Sequence, residues 1–113
     1  MRNDELTDLF DVAVRDESAD PVVVTLRGEC DLAAVDRLGS ALASCTDGGR
    51  REAVLDLSGL EFLDCAALDV MLQASRRCDH EGGSLVVRSP QRAVRRLLDL
   101  SGASEELRLE EER

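Results

Sequence analysis

The chain has 113 residues and a formal net charge of −10, enough for one hydrophobic core and too short for two. Its aromatic side chains are Phe10 and Phe62 alone, so the core must be Leu, Val and Ala, and no platform for stacked nucleobases exists. The acidic balance opposes a nucleic-acid backbone or an anionic membrane and leaves a basic protein partner open.

The polar start, Met1 to Asp8, has no apolar run of the signal-peptide kind. No segment approaches the ~18 apolar residues of a spanning helix. A cytoplasmic protein with no membrane insertion is expected. The four cysteines, Cys30, Cys45, Cys65 and Cys78, include no Cys-x-x-Cys pair, and nothing marks a disulfide framework. Cys78 with His80 falls short of the paired ligands a zinc site needs, so no metal and no cofactor are expected. Cys45 and Cys78 read as small buried hydrophobes on helix faces.

In chain order, residues 9–15 alternate, with Phe10, Val12 and Val14 against Asp11, Ala13 and Arg15, which predicts a half-buried strand. Asp16 to Pro21 is turn chemistry, with Pro21 suited to opening the next strand, Val22–Arg27, antiparallel to the first. Gly28 to Asp31 breaks that strand, and Asp31 caps a helix running to about Ser44, with Val35, Leu38, Leu42 and Cys45 on one face. Asp47-Gly48-Gly49 ends it. Ala53–Leu57 predicts a short central strand. Ser58-Gly59 then turns the chain, with Leu60 and Leu63 tucked against the core.

A second helix is predicted from Cys65 to His80, its inward side formed by Ala67, Leu68, Met71, Leu72, Ser75 and Cys78. Gly82-Gly83 stops it. Leu85–Val87 reads as a buried strand. A third helix spans Gln91 to Leu100, with Ala93, Val94, Leu97, Leu98 and, at the margin, Leu100 on its apolar face. Gly102 ends it, Leu107 and Leu109 suggest a short last strand, and the acidic end from Glu110 to Arg113 is expected to fray. The order β-β-α-β-α-β-α-β predicts a single α/β domain over residues 1–113, core about 9–109. Its sheet is mixed with an antiparallel edge, and one sheet face is less covered near the first two strands.

The chemical motifs are sparse. Neither Gly28-Glu29-Cys30-Asp31 nor Ser58-Gly59 extends to a phosphate-binding loop, and acids at both turns repel phosphate. Cys65, at a helix start, is the sharpest candidate nucleophile. His80 is about four turns away on the same helix and cannot serve as its base. Met71 stands where a phosphatase loop would need Arg. No enzyme activity is expected. Asp31 and Asp64 each follow a strand, belong at one edge of a parallel pair, and read first as helix caps. Arg92, Arg95 and Arg96 form a basic stripe, read as a solvated face paired with nearby acids or as a docking patch for an acidic partner.

Taken together, these residues resemble the STAS family, the sulfate-transporter and anti-sigma-factor-antagonist domains. Gly28-Glu29-Cys30-Asp31-Leu32 looks like the family's G-E-L-D segment, and Val54 to Asp64, VLDLSGLEFLD, resembles its strand-and-turn segment. The order of elements is also the family's. In the antagonist branch, Asp-Ser-[Ser/Thr]-Gly follows. The first Ser is phosphorylated by a serine kinase that doubles as the anti-sigma factor, and the phosphate breaks the complex. Here Asp64 is kept, Cys65 occupies the acceptor position, and Ala66 and Ala67 replace the hydroxyl residue and Gly, with Asp69 where a second Gly is common.

The resemblance implies a non-catalytic antagonist that binds an anti-sigma factor/serine kinase through Asp31, Asp64, Cys65, Ala66 and Asp69, without phosphorylation at Cys65. An accessory subunit of a transport ATPase and a redox-gated binder, with Cys65 oxidation as the gate, are the alternatives. Oligomeric state is open.

Overall fold

The structure, a computed structural model, describes residues 10–14, 21–46 and 52–110. Five strands are present, β1 (Phe10–Val14), β2 (Val22–Cys30), β3 (Glu52–Leu63), β4 (Ser84–Arg88) and β5 (Arg108–Leu109). The helices are α1 (Val35–Thr46), α2 (Cys65–His80), α3 (Arg92–Ser101) and the one-turn α4 (Ala103–Glu106), with a 3-10 turn at Leu32–Ala34 leading into α1. The strands lie in chain order, β1 antiparallel to β2 and every later pair parallel. Each crossover therefore steps the same way along the sheet, and right-handed crossovers set α1, α2 and α3 on one face. The α/β class and the antiparallel edge agree with the element order read from the sequence.

Alternation along β2 shows which face is the core. Val22, Val24 and Leu26 are fully buried, Val23 and Thr25 half-buried, and Arg27 exposed. On the core face Val24, Leu55, Val87 and Leu109 form one continuous row across four strands. Leu38 and Leu42 from α1, Met71 and Ala74 from α2, and Val94 and Leu98 from α3 close over it. The opposite face carries the register row Val23–Val54–Val86, less covered as the alternation predicted.

Two strands run further than the sequence reading placed them. β2 continues through Gly28 to Cys30, and β3 continues through Ser58-Gly59 to Leu63. Turn residues end a strand only if the chain has no partner to follow. Here each extension pairs with the other, and the extra residues are absorbed as register shifts at Thr25/Arg27 and Gly28/Glu29. Gly28 adopts φ 88, a left-handed conformation that glycine takes without steric cost. Gly59 lies opposite Arg27, and a Cβ there would sit 3.0 Å from the Arg27 Cγ.

Other differences are smaller. Asp31 caps the 3-10 turn rather than α1 directly. On α2, Ala74 is buried and Leu72 only half-buried. On α3, Val94 and Leu98 are buried while Ala93 and Leu100 face solvent. Leu107 is buried just before β5. Glu110 is held rather than frayed, because its N–H donates to the Val87 carbonyl at 2.8 Å and its carboxylate pairs with Arg88 at 2.8 Å. The turns at 16–20 and at Asp47-Gly48-Gly49, and the last three residues, lie outside the described residues.

Gly102 closes α3 at φ 84 with open space around its Cα, so only backbone conformation restricts that position. Gly102→Ala is expected to cost about 1 kcal/mol, read as a lower urea midpoint at unchanged slope.

Candidate functional site: the capped edge of the parallel pair

β2 and β3 leave the sheet side by side. Cys30 pairs with Leu63, and the Asp64 N–H donates to the Cys30 carbonyl at 3.1 Å. The next residue on each strand is an aspartate that starts a helical turn. The Asp31 carboxylate accepts from the Ala33 N–H at 3.0 Å, and the Asp64 carboxylate accepts from the Ala67 N–H at 2.9 Å. Both aspartates have extended backbone, the conformation of a residue entering a helix. The reading of Asp31 and Asp64 as neighbouring caps at one edge of a parallel pair is correct.

Cys65 is the first residue of α2 and is exposed, while Cys30, Cys45 and Cys78 are buried. All four are free thiols. Ala66 is half-buried, Ala67 fully buried, and Asp69, exposed one turn on, accepts from Gln73 Nε2 at 2.7 Å. The edge thus gathers Asp31, Asp64, Cys65, Ala66 and Asp69 around the start of α2. His80 lies at the far end of the same helix, as its position in the sequence requires. Among the described residues no group of His, Cys, Asp or Glu side chains could hold a metal ion, and no helix is long and apolar enough to cross a membrane.

Two residues of this edge escape a sequence reading. Leu32, at the start of the 3-10 turn, is 73% exposed, and Phe62, one residue before the end of β3, is 47% exposed. They add apolar surface to an edge that also carries Glu29 and Glu61. The signal was present in the spacing: Leu60 and Leu63 are both buried three residues apart, which a regular strand forbids. The register jump between Gly28 and Glu29 pairs Glu29 with Phe62 and turns both away from the core.

The acids of the edge are felt beneath it. The Cys30 thiol is pushed up from 9.0 to about 12, first by burial and then by the Asp64 and Asp31 carboxylates.

The STAS domain family matches residues 12–113. The chain belongs to the STAS family. It is 31% identical over 81 residues to BtrV of Bordetella bronchiseptica, a protein provisionally named an anti-sigma factor antagonist, with 72% of this chain and 70% of that one covered. Among solved structures, an anti-sigma factor antagonist from Mycobacterium paratuberculosis superposes with a TM-score of 0.78 at 27% identity, covering 90% of this STAS domain and 86% of that chain. SpoIIAA in its unphosphorylated form gives 0.74 at 20% identity, covering 90% of each chain, and shares the fold. The STAS resemblance read from Gly28–Leu32 and Val54–Asp64 therefore holds, and those two segments form the paired strand ends of the capped edge.

Two measurements test this geometry. Asp64→Ala removes the cap of α2 and is expected to cost about 1 kcal/mol, with Asp64→Asn costing only a fraction of that. For Cys30 the folded state holds the thiol proton more tightly than the unfolded chain. That contribution is complete below about pH 9 and is lost as pH rises towards about 12. The chain has no lysine and no tyrosine to titrate in the same window. Cys30→Ala is expected to be less stable at neutral pH but to lose less stability on alkaline titration, followed by circular dichroism.

Proposed function

We propose that this STAS domain is an anti-sigma factor antagonist. In this reading it binds an anti-sigma factor of the serine-kinase type through the edge formed by Asp31, Asp64, Cys65, Ala66 and Asp69, and so frees a sigma factor in the bacterial cytoplasm. The observation that carries it is the exposed first residue of α2, directly behind the Asp64 cap, in a chain similar to proteins described as anti-sigma factor antagonists.

Chemistry at this edge is limited to recognition. Carboxylates and exposed apolar side chains surround a helix start, with no base beside the one exposed thiol. A complementary partner is basic, with apolar surface to cover Leu32 and Phe62.

SpoIIAA has been solved both unphosphorylated and, as a Bacillus cell fate determinant, phosphorylated. A phosphate at the start of α2 would add bulk and about two strongly hydrated charges to an edge whose contact also covers Leu32 and Phe62, and would disrupt that packing through its desolvation cost. Cys65 carries no hydroxyl, so a serine kinase has no acceptor there. The domain stays competent to bind in the presence of kinase and ATP.

Calorimetric titration with the cognate anti-sigma factor tests the surface. Asp64→Lys and Cys65→Glu should each weaken binding about tenfold or more, and unchanged affinity in both would sink the assignment. After incubation with the kinase and ATP, intact mass should show no phosphate on the wild type and one on Cys65→Ser. Phosphate mapped to Cys65 or Ser58 of the wild type would end the idea of a domain that phosphorylation cannot release.

A further inference from the structure

A second surface, on α3, is built against the local rules for a solvated helix. Core packing uses Val94 and Leu98, both buried. Beside them Ala93, Leu97 and Leu100 recur at i, i+4 and i+7, the spacing of a helix-packing seam. Ala93 is exposed and Leu97 half-buried, while Leu100 is, among the described residues, the most exposed large hydrophobic at 76%. The apolar arc of α3 is wider than the part its own core covers.

Arg92 and Arg96 edge this seam on the solvent side. The expectation that the stripe is neutralised by nearby acids holds for Arg95, which pairs with Asp99 at 3.1 Å. It fails for Arg92 and Arg96, which are exposed and have neither an ion pair nor a hydrogen bond among the described residues. Arg92 opens α3, where positive charge opposes the helix dipole and where the first turn holds no acid. Gln91 at the cap position makes no capping bond. Its Nε2 donates instead to the Ser58 carbonyl at 2.7 Å. Neither arginine gains a compensating polar contact among the described residues, and at Arg92 the helix dipole adds a local penalty.

We infer that α3 is a docking seam for an acidic amphipathic helix of a partner protein: its apolar stripe lies along Ala93, Leu97 and Leu100, and its carboxylates meet Arg92 and Arg96. Charge complementarity selects this occupant. A nucleic-acid backbone would meet the arginines but leave the apolar stripe beside them uncovered. A second copy of the chain fits poorly, because antiparallel pairing of α3 on α3 brings Arg96 against Arg96. The seam is about 10 Å long, two helical turns, which suits a reversible contact rather than a permanent one. It is a site separate from the capped edge, with the opposite charge preference, and stands whether or not that edge binds an anti-sigma factor.

The probe is a labelled synthetic helix of about three heptads with a leucine stripe flanked by glutamates, titrated with the full chain by fluorescence anisotropy. One control peptide carries lysines for glutamates, and another carries serines for leucines. The wild type should bind the glutamate–leucine peptide about tenfold or more tightly than either control. Arg92→Glu/Arg96→Glu should exchange the preference to the lysine peptide, and Leu100→Asp should abolish binding, with both variants matching the wild type by circular dichroism. Asp64→Lys should leave peptide affinity unchanged. Equal binding of the three peptides, retained preference after charge reversal, or loss of binding in Asp64→Lys would overturn the seam. So would a dimer in sedimentation that Leu100→Asp dissolves, because it would assign the surface to self-association.

Discussion

The parallel pairing of β2 with β3 is the constraint from which the working edge follows. It runs from Val22 opposite Ala53 to Cys30 opposite Leu63, and ends with the Asp64 N–H on the Cys30 carbonyl. Because both strands stop at the same level, the aspartate after each becomes a cap within the same small area. The core row below and the caps above depend on one another. A slip of one residue would turn the slipped strand's core residues outward and carry its aspartate cap away from the other.

Two bulges let that pairing extend beyond the regular sheet. They place Glu29 and Phe62 on the outer side while returning Cys30 and Leu63 to the core, so apolar surface and negative charge appear together around Cys65. Beneath this edge burial, and then the Asp64 and Asp31 carboxylates, hold the Cys30 thiol protonated well above its usual range. Cys65 is the exposed first residue of α2, directly behind the Asp64 cap.

The opposite end of the chain is fastened by charge. Arg76 pairs with Glu106, Arg88 with Glu110, and Arg108 with Asp79, tying α4 and β5 to α2 and β4. These are exposed pairs, each worth little alone. They hold the two-residue β5 in register, while Leu107 and Ala103 bury the apolar side of the same segment. Against this background of paired arginines, Arg92 and Arg96 on α3 are exposed and bare among the described residues.

Much of this was legible in the residues. Period-two alternation located β1 and β2, the Asp64 cap and Gly82-Gly83 bounded α2 to the residue, and the capping role of Asp31 and Asp64 followed from residue type alone, because these signals are local. Strand ends were not legible. Gly28 and Ser58-Gly59 carry turn chemistry, yet they lie within strands, since the backbone bonds supplied by the neighbouring strand outweigh a local preference to turn. The exposure of Leu32, Phe62, Ala93 and Leu100 was hidden for the same reason. An apolar residue is buried only if another element covers it, and which side chains are left uncovered is decided by register and crossover handedness. Composition and local pattern determined the class, the helices and the capped, hydroxyl-free start of α2. Tertiary pairing alone decided that the two caps share one edge and that α3 keeps part of its apolar arc in solvent.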